Sequence, residues 1–449
     1  MKLTAKREKL LVFVYALIYI VPVLVITWGM GFRMFSDYDA TLPNLYFISE
    51  YVKKFLQLPW WNPYAGAGIP VIGDPASEVL NPLISLPVIF FGIDIGIRFI
   101  FIEAVTLTGF SMWLLLTRLK VKGWMRLWGA CLYTSSGAMA ARFAAGHIDQ
   151  FFVYFASPLF IYSILSAKIK KWDLFLASVL LVMLFYSGTL YHIFYLAIFY
   201  IVVRGFYLIL KESELKNEIY YVVSILFSFI TLGFPKLFDF FRNTIPIMRK
   251  SISDASLGSL HLFLFPVQFM MPYGASFYDR PTVQRIFGYY YNWYEYFAFV
   301  SPLPFIFFTK WKLLLKKKEV QILFVLLAAG ALYVSLGYFY SPFWWLYKMV
   351  PVLEVFRVPQ RIYLSLTSVM VALIVIAGTY WYSLRKLKNI TVIIMILSLA
   401  WTHIVSAKII INETFEVKDS KLEQMVTKLR ASDPGDYYAA VFVPKMQYL

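Results

Sequence analysis

Cysteine is all but missing, with Cys131 standing alone among 449 residues. An internal disulfide and a thiolate metal site are thereby excluded, and Cys131, inside a hydrophobic run, reads as core packing. Charge is scarce too: 15% of residues are charged and 60% hydrophobic, with a mean hydropathy of +0.68. A soluble globular domain carries about 25% charged residues. Only four histidines are present, and none has a partner at metal-ligand spacing, so a zinc site has no support. A small-residue cleavage site is absent after the first apolar run, Leu10–Gly31. That run is too long for a signal core and is expected as a retained first helix.

What is present is apolar length. A spanning helix needs about 20 mostly apolar residues. The sequence predicts spans near 10–30, 97–117, 124–142, 151–167, 173–189, 190–210, 219–238, 294–309, 320–338, 361–383 and 390–411. The expected fold class is therefore all-α, a polytopic transmembrane helical bundle of about eleven spans. The net charge of +17 does not point to nucleic acid. The basic residues gather in short loops, MKLTAKREK, RLKVKGWMR, KIKKW, KESELKNE, KWKLLLKKKE and RKLKN, as the positive-inside rule places them at the cytoplasmic face. The other loops, 31–96, 143–150, the Ser187 turn, 239–293 and 339–360, are rich in acidic, aromatic and proline residues. They are expected outside, with the N-terminus cytoplasmic. Residues 1–411 form the membrane domain, and 412–449 an extracytoplasmic tail, read as a truncated soluble domain. In that tail EVKDSKLEQMVTKLRAS has helical spacing and YYAAVFVP suits a strand.

Five stretches could carry chemistry. Ser36-Asp37-Tyr38-Asp39 puts two carboxylates just past the first helix. There they could take a proton from a hydroxyl or hold a divalent cation; Asp39 also precedes the apolar-periodic stretch 42–56 and suits a helix cap. Trp60-Trp61-Asn62-Pro63-Tyr64 runs into Gly66, Gly68, Pro70, Gly73, Asp74 and Glu78, a density of turn residues that favours an ordered loop. Trp61 suits either an interfacial anchor or a sugar-stacking face. Ala145-Gly146-His147-Ile148-Asp149-Gln150 offers an imidazole and a carboxylate two residues apart, for phosphate, metal or proton relay. Phe356-Arg357-Val358-Pro359-Gln360-Arg361 places two arginines on the side where the positive-inside rule disfavours them, in reach of a phosphate or as snorkelling anchors. Glu295, in YYYNWYEY, is either a helix N-terminal charge or a further site carboxylate. Glu103, Arg142 and His192 are ionisable residues inside or at the ends of spans, where function and internal pairing are both open.

In their order and placement, the acidic first outer loop, LPWWNPYAGAGIP, AGHID, the Glu295 segment ahead of PLPF, and VPVLEVFRVPQR before a span resemble the GT-C superfamily of polytopic membrane glycosyltransferases. Within it they resemble the YfhO-type bacterial and archaeal membrane proteins, over about 35–410. The resemblance implies transfer of a sugar from a polyprenyl-phosphate carrier to a cell-envelope acceptor (glycopolymer, lipid or protein) at the extracytoplasmic face of the cytoplasmic membrane. It implies Asp37 or Asp39 as base or metal holder, with Mg or Mn as the candidate divalent cation, and Arg357 and Arg361 on the donor phosphate. His147, Asp149, Glu295, Asp74, Glu78 and Trp61 are further site candidates. The competing expectation is a lipid-carrier flippase using the same arginines and aromatic groove without transferase activity. A non-catalytic scaffold is a third.

Overall fold

The computed structural model describes residues 4–32, 37–64, 68–244, 262–272, 280–282, 284, 293–336, 349 and 358–416. They are overwhelmingly helical. The main elements are α1 (Ala5–Ile26), α2 (Tyr38–Phe55), α3 (Pro82–Arg118), α4 (Gly123–Thr134), α5 (Gly137–Ala145), α6 (Ile148–Ile164), α7 (Lys171–Tyr186), α8 (Leu190–Ile209), α9 (Leu215–Asp239), α10 (Lys318–Ser335), α11 (Tyr363–Ser383) and α12 (Lys388–Ile409). Among the described residues six helical stretches are long and apolar enough to cross a membrane: Ala5–Ile26, Leu190–Ile209, Leu215–Asn243, Lys318–Ser335, Pro359–Ser383 and Lys388–Thr414.

Burial sorts these six into an axis and a rim. The Pro359–Ser383 stretch is 94% buried and packs against α4, α6, α10 and α12, so its apolar side chains face protein on all sides. Leu215–Asn243 is only 22% buried, with Leu226, Phe227, Ile230 and Phe234 turned outward. An apolar face of that size suits lipid rather than water.

Ion pairs tie the helix ends into two groups. At one end Arg126 meets Glu8 at 2.6 Å, Trp113 Nε1 donates to the same carboxylate at 3.0 Å, and Arg118 meets Asp173 at 3.2 Å. Arg204 donates to the carbonyls of Ile164 and Ala167 and pairs with Glu218. These contacts join the basic loops. At the opposite ends of α1, α8 and α9 lie residues 27–32, 187–192 and 236–243, where the acidic and aromatic loops converge.

Three features differ from the sequence expectation. The first outer loop has structure of its own. It holds α2, a two-residue hairpin of β2 (Trp61–Asn62) with β3 (Ile69–Pro70), and the opening turns of α3, which bends at Gly92. The expected span 124–142 is broken at Ser135–Ser136 into α4 and α5. The expected span 294–309 is not a regular helix: Trp293–Tyr296 makes one turn, 297–302 has no regular secondary structure, and Leu303–Lys310 is 3-10. Pro302 and Pro304 remove two amide donors there. Backbone groups of this stretch are met by other segments of the chain. Phe299 O accepts from Gly137 N at 2.7 Å, Val300 N donates to Phe269 O at 2.9 Å, and Val300 O accepts from Thr402 Oγ1 at 2.7 Å. Irregular backbone survives at this depth because protein surrounds it. Cys131 is buried with Val12, Trp113, Leu127 and Ala130. Of the 412–449 tail, β4 (Phe415–Glu416) pairs antiparallel with β1 (Gly31–Phe32), and the segments beyond lie outside the described residues.

Candidate functional site

Asp37 opens α2, and its position is fixed by the α5–α6 turn. Its amide donates to Ala145 O at 2.9 Å, and the Tyr38 hydroxyl donates to Phe143 O at 2.7 Å. Gly146 sits at φ 76°, in the left-handed region that glycine tolerates. A Cβ there would lie 2.5 Å from Tyr38 N. Gly146→Ala is therefore expected to lose about 1 to 2 kcal/mol from the backbone alone and to push α2 off the turn. The melting temperature should fall, and a variant that melts like wild type would show that the turn does not register Asp37.

The turn also aims His147. Its Nε2 lies 2.5 Å from Asp37 Oδ2, and its Nδ1 lies 3.0 Å from Arg142 Nη1. Arginine only donates, so Nδ1 accepts, the ring proton sits on Nε2, and Nε2–H donates to the aspartate. Arg142 continues to Glu295 Oε2 at 2.7 Å, and Glu295 Oε1 accepts from Arg361 Nε at 3.0 Å. The result is one chain of contacts, Asp37–His147–Arg142–Glu295–Arg361, drawn from four separated segments. Its middle is dry: Arg142 is 2% and Glu295 1% exposed. Its two ends open outward, with the Asp37 side chain half exposed and Arg361 part exposed. Tyr191 stacks on the Arg361 guanidinium at 4.9 Å, and Tyr294 meets the His147 ring edge-on.

The electrostatics follow from this chain. Burial raises the Glu295 carboxyl, but Arg142 and Arg361 outweigh it and hold the group far below the usual carboxylate range. Burial also raises Asp37; the hydrogen bond from His147 and the nearby Arg361 guanidinium are among the contacts that more than offset it, so Asp37 stays an anion. Asp149 lies within electrostatic reach of His147, Arg361 and Asp37.

Beside it lies a second polar cluster that docks the turn-rich segment. Gly73 N donates to Asp239 Oδ2 at 2.5 Å, Lys236 Nζ donates to Ser77 O and Phe185 O at 2.7 and 2.9 Å, and Asn81 Nδ2 donates to Ser187 Oγ at 2.6 Å. Gly188, at φ 83°, lets the Ala76 backbone approach where a Cβ would sit 2.7 Å from its carbonyl carbon. Asp74 caps its own turn through Ala76 N at 2.9 Å. Glu78 is buried. Its pKa is pushed from 4.5 to about 8 by burial first and then by Asp149, with Lys236 opposing. Across that window the folded protein holds a proton the unfolded chain has released, so this contribution is complete at low pH and is lost as pH rises. Melting temperature is expected to decline from about pH 5 to about pH 8, and Glu78→Gln should flatten the decline. An unchanged slope in that variant would remove Glu78 as its source.

The candidates named from sequence separate into three groups. Asp37, His147, Glu295 and Arg361 are brought into one network, with Asp149 alongside. Asp74 and Glu78 belong to the docked segment. Trp61 stands on the β2–β3 hairpin, 48% exposed, and joins neither. Asp39 is in the first turn of α2, its side chain not among those described, and Arg357 lies outside the described residues. Arg142, raised above only as a residue at a span end, is the hub. Lys236, Asp239 and Tyr191 were not singled out, although a lysine in the apolar run GFPKLFD was a readable signal. An apolar groove of about 200 Å³ between α1 and α3 shares no residue with either cluster. Among the described residues no three His, Cys, Asp or Glu side chains gather to hold a metal ion.

No protein-family model and no curated protein matches the chain. Function is therefore read from the site itself.

Proposed function

We propose that the chain is a GT-C-like membrane glycosyltransferase of the YfhO type. It moves a sugar from a polyprenyl-phosphate donor to a cell-envelope acceptor at the extracytoplasmic face of the cytoplasmic membrane. The observation that carries the reading is the network whose exposed ends are a carboxylate, Asp37, and a guanidinium, Arg361. Group transfer from a lipid phosphate needs those two functions: a base toward the acceptor and a cation toward the leaving group. The joining of the basic loops at one end and of this network at the other supports a cytoplasmic N-terminus and an outer active face.

In the step, the acceptor hydroxyl oxygen attacks the anomeric carbon and the bond from that carbon to the phosphate oxygen breaks. The electron pair leaves on the phosphate, which Arg361 steadies, and the hydroxyl proton passes to Asp37. His147 holds Asp37 by one oxygen and leaves the other for the acceptor. Glu295 keeps Arg361 aimed and, lying between two guanidiniums, leaves that trio with net positive charge. The direct test is transfer of radiolabelled sugar from polyprenyl-phosphate donors by protein in nanodiscs, with product configuration determined. Inversion at the anomeric carbon is expected. Retention would remove the single displacement.

A further inference from the structure

Among the described residues, several buried polar atoms in and beside the network have no hydrogen-bond partner, Glu295 Oε2 being one of them although it is ion-paired with Arg142. His192, in the first turn of α8, is 1% exposed, and neither ring nitrogen has a hydrogen-bond partner. Gln360 is fully buried, and neither its Oε1 nor its Nε2 has one. Arg142 Nε is likewise unpaired. The elements that carry the two neutral residues are in contact. Tyr195, one turn along α8 and edge-on to the His192 ring, donates to Val358 O at 3.1 Å. This seats the start of α8 on the 3-10 turn Pro359–Ile362 that carries Gln360 and Arg361. His192 also lies within electrostatic reach of Arg142, Arg361 and Glu295.

Buried polar atoms left unmet destabilise a fold by about 1 to 3 kcal/mol each, and a membrane protein has apolar residues in plenty for such positions. Two members of the unmet set, Gln360 and His192, are neutral, the amide offering two donors and an acceptor and the imidazole one of each. That inventory matches vicinal hydroxyls rather than an anion, and the stacked Tyr191–Arg361 pair marks the partly exposed approach.

We propose that His192 and Gln360 form the subsite that reads the hydroxyl groups of the sugar, adjoining the phosphate held at Arg361. The identity of the lipid carrier rests on the transferase reading. The structure-based distinction is sharp: Arg361 serves every lipid phosphate, whereas His192 and Gln360 serve only a glycosylated one.

The test measures binding in nanodiscs of undecaprenyl phosphate bearing glucose, mannose or N-acetylglucosamine, and of the sugar-free lipid, to wild type, His192→Leu and Gln360→Leu. Wild type is expected to prefer at least one glycosylated lipid roughly tenfold, the value of one or two hydrogen bonds. Each variant should erase that preference and leave binding of the sugar-free lipid unchanged. Each variant should also melt no lower than wild type, since an apolar side chain replaces a polar one without an internal partner. Equal affinity of wild type for all four lipids, or a preference that survives both substitutions, overturns the inference. The transferase reading fails separately. A sugar preference lost in the variants, with no transfer by wild type, keeps the subsite and removes the transferase. Transfer and preference both indifferent to the variants remove the subsite alone.

Discussion

Asp37→Asn should abolish sugar transfer while leaving the protein folded. General-base catalysis by a positioned side chain contributes about 10²- to 10⁴-fold, and an amide cannot take the proton, so the rate is expected to fall by that factor. Stability should be nearly untouched for three reasons. The Asp37 side chain is half exposed. Among the described residues its side chain is hydrogen-bonded to His147, and an asparagine oxygen still accepts from Nε2–H. The backbone bond to Ala145 O remains as well. Donor binding, which depends on Arg361, should also survive. The measurement is single-turnover transfer in nanodiscs beside a melting curve. Transfer within tenfold of wild type would remove Asp37 as the base, and the Asp39 substitution would be next. A flippase would keep moving lipid in either variant.

Glu295→Gln should do the reverse, unsettling the fold and the site together. Among the described residues Glu295 is the carboxylate that ion-pairs with both Arg142 and Arg361, and Arg142 is almost fully buried. Removing one partner of a buried ion pair costs about 3 to 5 kcal/mol, because a charge is left uncompensated. The melting temperature should drop sharply, and the double variant with Arg142→Gln should recover part of the loss, since the stranded charge goes too. Equal melting of wild type and Glu295→Gln would mean that the arginines find other compensation. Strict additivity of the two changes would mean that they act independently.

The reach of the sequence can be judged residue by residue. α1, α8, α9, α10, α11 and α12 were legible because uninterrupted apolar length is a local property. The segment 294–309 misled for the same reason. Its composition is apolar, but Pro302 and Pro304 prevent a regular helix, and its backbone is satisfied by Phe269, Gly137 and Thr402. Asp37 and His147 were legible as polar residues at span ends. Their pairing was not, since 110 positions separate them. Glu295 read equally well as a helix-end charge, because nothing nearby in sequence announces Arg142 or Arg361 as its partners. His192 and Arg142 illustrate the remaining ambiguity of ionisable residues near spans: one is paired and the other is not. Composition cannot tell these cases apart.

The docking of 73–81 onto Ser187, Gly188, Lys236 and Asp239 bears on biogenesis. The segment emerges from the ribosome well before the residues that clasp it, and Asp37 emerges more than 300 residues ahead of Arg361. At about 5 to 20 residues per second, the nascent chain spends a substantial part of a minute with its first outer loop exported and unclasped. During that interval the carboxylates of the loop face water without their cationic partners, and the loop is open to proteases and chaperones of the outer compartment. The network from Asp37 to Arg361 is thus among the last parts of the protein to form. A partly synthesised chain carries the acidic loop before the cationic residues that meet it in the folded protein.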